Sequence, residues 1–177
     1  MRLFFGLPWP EELRDELTRR TKVWEGRTGL RTLKPENWHV TLRFLGDTSD
    51  ESVPALVALM ETWSRRRGPL TFVDRGWGCF GSHEVPRVVT VALEALPDSR
   101  RAVESFHKAL DAASFPGDGK PWKPHLTVAY GQGALEGPWP DEVKGGRAPV
   151  VLPRVVLFES QLGPAGSVYT ELASAKL

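Results

Sequence analysis

Two copies of a short histidine–threonine phrase contain the residues of this sequence that are best suited to chemistry. The first copy carries His39 and Thr41, and the second carries His125 and Thr127. Each pair stands inside an alternating apolar run typical of a β-strand, where side chains two residues apart share a face. Two such strands facing each other across a cleft would offer two imidazoles and two hydroxyls, the groups that acid–base chemistry on a phosphate requires.

Chance and a purely structural role are the simpler explanations of the two copies. The chain has four histidines, and two of them would be followed by threonine at this spacing in roughly two per cent of shuffled sequences. A structural role would require the polar side chains to satisfy one another's hydrogen bonds, because unpaired polar groups on an inner sheet face are costly. The two copies together therefore favour a catalytic site, whereas either copy alone is a weak signal.

The same strand periodicity assigns the neighbouring residues to faces. Arg43 is in phase with the first histidine and threonine, so it is predicted on the cleft side, either as a cation for a phosphate or as the partner of an acidic side chain. Phe44 and Tyr130 are out of phase with their histidines. Both aromatic side chains are therefore predicted to face the core.

The loop of residues 116–123 leads into the second copy and carries further candidates for substrate contacts. Lys120 and Lys123 could steer the phosphates of a substrate, although most lysines in loops are simply solvated. Trp122 could stack on a base. These three residues complete the predicted site.

The composition is that of an ordinary globular protein. The 177 residues are 41% hydrophobic and 25% charged, with a formal net charge of +1, so nucleic acid would be bound in a local pocket and not along a basic surface. A single cysteine, Cys79, excludes an intramolecular disulfide and fits a reducing compartment.

No stretch resembles a signal peptide or a membrane span. We expect a soluble, cytoplasmic protein with no membrane contact, and one domain over residues 1–177.

Hydrophobic periodicity predicts about seven strands and three helices, with a strand–helix–strand rhythm repeated around each motif. The glycine-rich residues 76–81 are predicted to separate two strands. The glycine- and proline-rich residues 131–149 are predicted to form a long irregular connection. The chain is therefore predicted to be α+β, with two similar lobes packed around a cleft.

At these residues the chain resembles the two-histidine (2H) phosphoesterases, and most closely the RNA 2′,3′-cyclic phosphodiesterases of the LigT type, formerly called 2′-5′ RNA ligases. The matching segments follow one another in the right order over nearly the whole chain. They are LFFGL at 3–7, HVTLRFLG at 39–46, Phe80, PRV at 86–88, PHLTVAY at 124–130, and Glu159, Ser160, Gly166 and Tyr169. The family commonly carries arginine where this chain has Tyr130, so a phosphate or nucleotide contact from that arginine is not expected here.

The resemblance implies a bilobal, pseudo-two-fold arrangement of two antiparallel β-sheets that face a central cleft, with helices packed on the outside. It implies hydrolysis of RNA 2′,3′-cyclic phosphate ends to 2′-phosphate ends, with His39 as the proton donor and His125 as the proton acceptor. The reverse reaction would be 2′-5′ RNA ligation. Thr41 and Thr127 would donate hydrogen bonds to the phosphate oxygens.

Neither a metal nor a cofactor is expected, because neither motif contains a carboxylate or a cysteine and two distant histidines make a poor metal site. We expect a monomer whose partner is RNA with a 2′,3′-cyclic phosphate end or a related nucleotide. One alternative is a phosphodiesterase of the same superfamily for small cyclic nucleotides or 2′-5′ oligoadenylates. The other is a non-catalytic RNA- or nucleotide-binding module, against which the two motifs argue, since pure binding would favour arginine and lysine over imidazoles.

Overall fold

The computed structural model describes residues 1–141, 148–163 and 166–177, and within these ranges the fold is α+β, as predicted. Nine strands, three α-helices and three short 3₁₀ turns are described. The α-helices and strands in chain order are β1 Arg2–Pro8, α1 Glu11–Thr21, β2 Leu30–Thr32, β3 His39–Asp47, α2 Val53–Ser64, β4 Leu70–Gly81, β5 Pro86–Ala95, α3 Pro97–Ala112, β6 His125–Gly131, β7 Val150–Leu152, β8 Arg154–Gly163 and β9 Gly166–Lys176. The 3₁₀ turns are Lys22–Trp24, Pro35–Asn37 and Asp50–Ser52.

The strands form an antiparallel sheet in the order β7-β4-β5-β6-β3-β1-β8-β9. The short strand β2 lies off this path and pairs with residues 129–131 of β6. The sheet divides into two halves, each containing one motif strand. We call β1, β3, β8 and β9 the His39 half, and β2, β4, β5, β6 and β7 the His125 half. The halves join where Val40 of β3 pairs with Leu126 of β6. A junction this short lets the halves diverge on either side of it, so each motif strand lies at the border between them.

Strand β1 is apolar on both faces because each face is covered. Leu3, Phe5 and Leu7 alternate into the main hydrophobic core, where all three are fully buried. Phe4 points to the opposite face and packs with Phe158 in a smaller cluster of its own. This smaller cluster lies on the same side of β1 as the site described below.

The helices pack against the strands through apolar stripes of helical spacing. Helix α2 contacts β8 and β9, and α3 contacts β4 and β5. Trp63 of α2 stacks on Phe106 of α3 with ring centroids 4.4 Å apart, which joins the two helices. Helix α3 begins at Pro97, a residue suited to a first helical turn. None of the helices within the described ranges combines the length and apolar character that a bilayer crossing requires.

Two predictions about the connections need correction or restriction. Residues 76–81 do not separate two strands, because β4 continues through them to Gly81 and pairs with β5 along this length. Gly78 permits this pairing, since a Cβ there would lie only 3.1 Å from Oγ1 of Thr90. The predicted irregular connection is observed over residues 132–141, whereas residues 142–147 lie outside the described residues.

A β-bulge follows each motif at the equivalent position. In the first copy, Gly6 pairs with Thr41 and Phe5 with Arg43, which leaves Leu42 as the extra residue. In the second copy, β5 pairs with residues 127 and 129 and leaves Val128 as the extra residue. Such a bulge reverses the alternation of the side chains that follow it.

The prediction that Phe44 and Tyr130 face the core is therefore wrong. Both follow a bulge, so the two-residue period that assigned them to the core no longer applies. Phe44 is 60% exposed, and Tyr130 lies outside the buried core and hydrogen-bonds with Tyr169 of β9. Strict alternation would have buried both aromatic side chains. The bulges turn them away from the core, next to the motifs.

Candidate active site

The two motifs lie across the junction between the halves. Strands β3 and β6 run antiparallel and pair at Val40 and Leu126. One residue to either side of this pair, the antiparallel register sets His39 opposite Thr127 and Thr41 opposite His125. Each of these four residues is the direct neighbour of Val40 or Leu126 in its strand, so their side chains share the face opposite to that of the central pair. In this register each histidine stands across the junction from the threonine of the other copy.

Both histidine rings are held by the same hydrogen bond. Nδ1 of His39 lies 2.8 Å from the backbone carbonyl oxygen of Asn37, and Nδ1 of His125 lies 2.7 Å from that of Lys123. A carbonyl oxygen only accepts, so each Nδ1 carries a proton and donates it. Each Nε2 is therefore the atom at which the ring can take up or release a proton.

His39 occupies an aromatic environment in the His39 half. The ring centroids of Phe4, Tyr169 and Phe158 lie 4.9, 5.1 and 5.8 Å from that of His39. Gly6 leaves space for the imidazole, because a Cβ there would be 3.3 Å from its Cδ2. Burial in these apolar surroundings lowers the pKa of His39 to about 4. The positive charge of His125 lowers this pKa further, so the two imidazoles interact electrostatically.

His125 has a comparable aromatic neighbour in the other half. Phe80 of β4 meets it edge to face, with ring centroids 4.9 Å apart. Burial also lowers the pKa of His125, and the hydrogen bond to Lys123 opposes this shift. Both imidazoles are consequently biased towards the neutral form in the free protein.

Tyr130 and Tyr169 connect the two halves beside His39. Tyr130 of β6 hydrogen-bonds with Tyr169 of β9, and its burial raises the pKa of its hydroxyl. The guanidinium of Arg31, opposite Tyr130 in the β2–β6 ladder, lies 5.5 Å from the Tyr130 ring centroid. Since Tyr169 also contacts the His39 ring edge to face, this bridge forms one wall of the site.

A cavity of about 970 Å³ opens beside the motifs. Of the four motif residues, Thr41 and His125 line it, whereas His39 and Thr127 are not among its described walls. Its remaining walls come from β3, β4, β5, α3 and the loop before β6. They are residues 42–44, Phe80, Arg87, His107, Asp111 and residues 116–123.

The further substrate-contact candidates from the sequence all line this cavity. Lys120, Lys123 and Trp122 belong to its loop wall, and Lys123 is exposed. Arg43 also lines it, and its Nη1 lies 2.9 Å from Oδ1 of Asp111 on α3. Arg43 follows the bulge at Leu42, so it no longer alternates in phase with His39 and Thr41 as predicted, but its side chain still reaches the cavity wall and has an acidic partner there.

Side chains of α3 and of the loop before β6 hold the backbone of β3 at Thr41 and Leu42. Nε1 of Trp122 donates a hydrogen bond to the carbonyl oxygen of Thr41 at 2.9 Å. Nε2 of His107 lies 2.8 Å from the carbonyl oxygen of Leu42, the bulged residue, and donates to it. The ladder is irregular at this bulge, and His107 supplies a donor to the bulged carbonyl.

Sequence reasoning missed Arg87, Phe80, His107 and Asp111 as residues of the site. Phe80 and Arg87 stand in segments that carry the family resemblance, which was the available signal for them. His107 and Asp111 lie four residues apart on α3, so helical spacing places them on one face. Nothing in the sequence connects that face with β3.

No metal site is evident in the described ranges. There, no group of three or more histidine, cysteine, aspartate or glutamate side chains is placed to hold a metal ion. The Nδ1 atoms of both motif histidines are already engaged with carbonyl oxygens. The site is therefore composed of two imidazoles, two hydroxyls and a cavity with cationic side chains.

Comparison with known proteins relates this arrangement to characterised sequences and structures. The model of the LigT-like phosphoesterase family matches residues 7–90, which include the first motif. An RNA 2′,3′-cyclic phosphodiesterase of Thermus thermophilus is 34% identical over 100% of this chain and 90% of its own. One from Archaeoglobus fulgidus is 29% identical over 72% of this chain and 71% of its own.

The fold has a close counterpart among solved structures. The crystal structure of TT0787 of Thermus thermophilus superposes with a TM-score of 0.83 and 31% sequence identity, covering 100% of this chain and 98% of that one. The full-length similarity to the Thermus phosphodiesterase extends the family match through the second motif. The chain therefore belongs to the LigT-like phosphoesterase family.

Proposed function

We propose that this protein hydrolyses RNA 2′,3′-cyclic phosphate ends to 2′-phosphate ends. The observation that carries the proposal is the matched pair of imidazoles, each donating Nδ1–H to a backbone carbonyl and keeping Nε2 for chemistry. The activity for which the relatives are named, RNA 2′,3′-cyclic phosphodiesterase, supports the choice of substrate.

In the proposed reaction, water attacks phosphorus in line with the departing 3′ oxygen. The new bond joins the water oxygen to phosphorus, and the bond from phosphorus to the 3′ oxygen breaks. Nε2 of His125 takes a proton from the water, and Nε2 of His39 gives a proton to the 3′ oxygen. The phosphate stays on the 2′ oxygen, and the two histidines have exchanged protonation states.

The threonines are proposed to hold the phosphate during this exchange. Thr41 and Thr127 share a face with the histidines, and their hydroxyls can donate to the non-bridging oxygens, where negative charge must be stabilised. No metal is proposed, because two imidazoles supply both proton transfers and the described site offers no ligand cluster.

The two histidines must be in opposite protonation states when substrate is bound. Burial lowers the pKa of both in the free protein, so the proton required on His39 depends on the substrate. An anionic phosphate next to the rings favours the imidazolium and raises both pKa values. The same pair run in reverse would join a cyclic phosphate to a 5′-hydroxyl, which gives 2′-5′ ligation.

The test is incubation with a short RNA ending in a 2′,3′-cyclic phosphate, with chelator present, followed by identification of the hydroxyl that keeps the phosphate. We expect a 2′-phosphate product, and a loss of about two to four orders of magnitude in kcat for His39→Ala or His125→Ala. Unchanged activity in the double variant would falsify the assignment. Faster turnover of cyclic mononucleotides or 2′-5′ oligoadenylates would favour the first alternative, and binding without hydrolysis the second.

A sulfur substitution separates the two histidine roles. An RNA whose cyclic phosphate has sulfur at the 3′ bridging position has a leaving group that needs no proton. If His39 is the acid, His39→Ala recovers most of its lost activity on this substrate and His125→Ala does not. Recovery by His125→Ala instead would reverse the assignment.

A further inference from the structure

Positive charge is concentrated in the cavity beside the motifs. The chain as a whole is nearly neutral, with 23 basic and 22 acidic residues. Four cationic side chains line the cavity, opposed by two carboxylates. The cations are Arg43, Arg87, Lys120 and Lys123, and the carboxylates are Asp111 and Asp118.

Ion pairs account for only two of these cations. Arg43 pairs with Asp111 at 2.9 Å, and Lys120 pairs with Asp118 at 3.2 Å. Among the described residues no carboxylate lies within ion-pair distance of Arg87 or of Lys123, and both are exposed. The uncompensated charge of the cavity therefore resides on Arg87 and Lys123.

These two cations lie towards opposite ends of the strand that carries His125. Lys123 precedes β6 by two residues. Arg87 precedes Val88, which pairs with Tyr130 near the other end of β6. A seven-residue strand is about 20 Å long at about 3.3 Å per residue. Since stacked nucleotides advance about 3.4 Å each, this length exceeds what one nucleotide occupies.

Aromatic side chains are interleaved with the cations. Phe80 lies beside His125, and Trp122 forms part of the loop wall. Phe44 lines the cavity with 60% of its surface exposed, although a phenylalanine of a strand is ordinarily covered. Sites for single-stranded nucleic acid combine cations placed along the path of the phosphate backbone with aromatic rings on which bases stack.

We propose that this cavity binds the RNA strand on the 5′ side of the cyclic phosphate, with Arg87 and Lys123 each contacting a phosphodiester. The enzyme then acts on oligoribonucleotide ends in preference to nucleoside 2′,3′-cyclic monophosphates, which have no phosphate for these cations. This inference rests on the proposed function, because it takes the cyclic phosphate to lie between the two motifs.

The kinetic test compares a heptanucleotide, whose six steps of about 3.4 Å match the length of β6, ending in adenosine 2′,3′-cyclic phosphate with adenosine 2′,3′-cyclic monophosphate. We expect kcat/KM to be at least about tenfold higher for the heptanucleotide, the scale of one hydrogen bond to a charged group. Arg87→Ala/Lys123→Ala should remove most of this preference. The backbone carbonyl that holds His125 is retained in Lys123→Ala. Equal kcat/KM for both substrates in the wild type would overturn the inference.

A binding test does not depend on turnover. The heptanucleotide ending in a 2′-phosphate is titrated by fluorescence anisotropy over a series of KCl concentrations. Loss of two phosphate contacts should reduce the slope of log K against log [KCl] by about 1.4, at about 0.7 per contact for single strands. Arg66→Ala/Lys108→Ala is the matched control, since both residues are exposed and outside the cavity walls; it should retain the wild-type slope.

The two tests distinguish failure of the inference from failure of the proposed function. If neither substrate is hydrolysed, the proposed function fails, and the salt slopes still decide whether Arg87 and Lys123 bind RNA phosphates. If both are hydrolysed but the two double variants have the same slope, the cavity does not bind the upstream strand. A smaller slope only in Arg87→Ala/Lys123→Ala supports the proposal.

Discussion

The indole nitrogen of Trp122 donates a hydrogen bond to the backbone carbonyl oxygen of Thr41, 2.9 Å away. Trp122 belongs to the loop before β6, and Thr41 belongs to the motif on β3, so the bond crosses between the two halves of the sheet. The strands themselves meet at Val40 and Leu126. The separation of the two motifs therefore depends on side-chain contacts such as this one as well as on the β ladder.

Trp122→Phe should weaken both the site and the fold. The phenyl ring keeps most of the packing, but the carbonyl of Thr41 loses its donor, which costs about 1–3 kcal/mol of unfolding free energy for a buried group. We expect kcat to fall by about tenfold, because a small displacement of phosphate-binding groups is sufficient for such a loss. Denaturant unfolding and steady-state kinetics measure the two effects.

Trp63→Phe is the matched control for this substitution. Nε1 of Trp63 donates to the carbonyl oxygen of Ala102 at 3.1 Å, a bond of the same kind between α2 and α3. This variant should lose comparable stability and keep its kcat where it is folded. Equal losses of kcat in both variants would mean that the Trp122 bond only stabilises the fold.

The pH dependence of kcat/KM should reflect the lowered pKa values of the motif histidines. In the free protein the pKa of His39 is about 4, and that of His125 lies below its usual 6.5. Since kcat/KM follows the free enzyme, its maximum should lie below pH 6.5, with a fall of about tenfold per pH unit on the alkaline side. The alkaline limb of kcat should lie at higher pH, because bound phosphate favours the imidazolium. A kcat/KM that stays constant up to pH 8 would contradict this account.

Folding stability should also depend on His39. Its pKa is about 4 in the folded protein and 6.5 in the unfolded chain, so between these values the unfolded chain binds more protons and stability rises with pH. The contribution is fully present above pH 6.5 and is lost as pH falls towards 4, by about 3 kcal/mol at about 1.4 kcal/mol per pKa unit.

His39→Gln isolates this contribution, because glutamine does not titrate. The unfolding free energies of wild type and variant should run parallel from pH 6.5 to 8 and converge as pH falls to 4. Denaturant unfolding at four or five pH values measures the difference. If the difference stays constant throughout this range, His39 is not kept neutral by burial.

The motif residues were predictable from the sequence because they depend on local periodicity. Alternation places His39 and Thr41 on one face of a strand, and the structure agrees. The bulges at Leu42 and Val128 were not predictable, since both are ordinary strand residues and the extra position depends on what β1 and β5 pair with. Arg87 lines the cavity and Trp122 hydrogen-bonds with Thr41 because segments distant in sequence come together, which no local pattern encodes. Local periodicity therefore identified the two motif strands, whereas it predicted about seven strands where nine are described and assigned the wrong face to the aromatic residues that follow the bulges.

Gly6→Ala should impair catalysis, and overpacking should lower the unfolding free energy by about 1–3 kcal/mol. The Cβ of alanine would lie 3.3 Å from Cδ2 of His39, and 3.3 Å from ring atoms of Phe4 and Phe158, a crowding that moves the imidazole away from its position. We expect kcat to fall by at least about tenfold, because acid–base catalysis needs the Nε2 atom within hydrogen-bonding reach of the substrate. Gly68→Ala is the control, since a Cβ there meets nothing within 4 Å. Wild-type kcat in Gly6→Ala would show that the His39 ring is not held by the space that Gly6 provides.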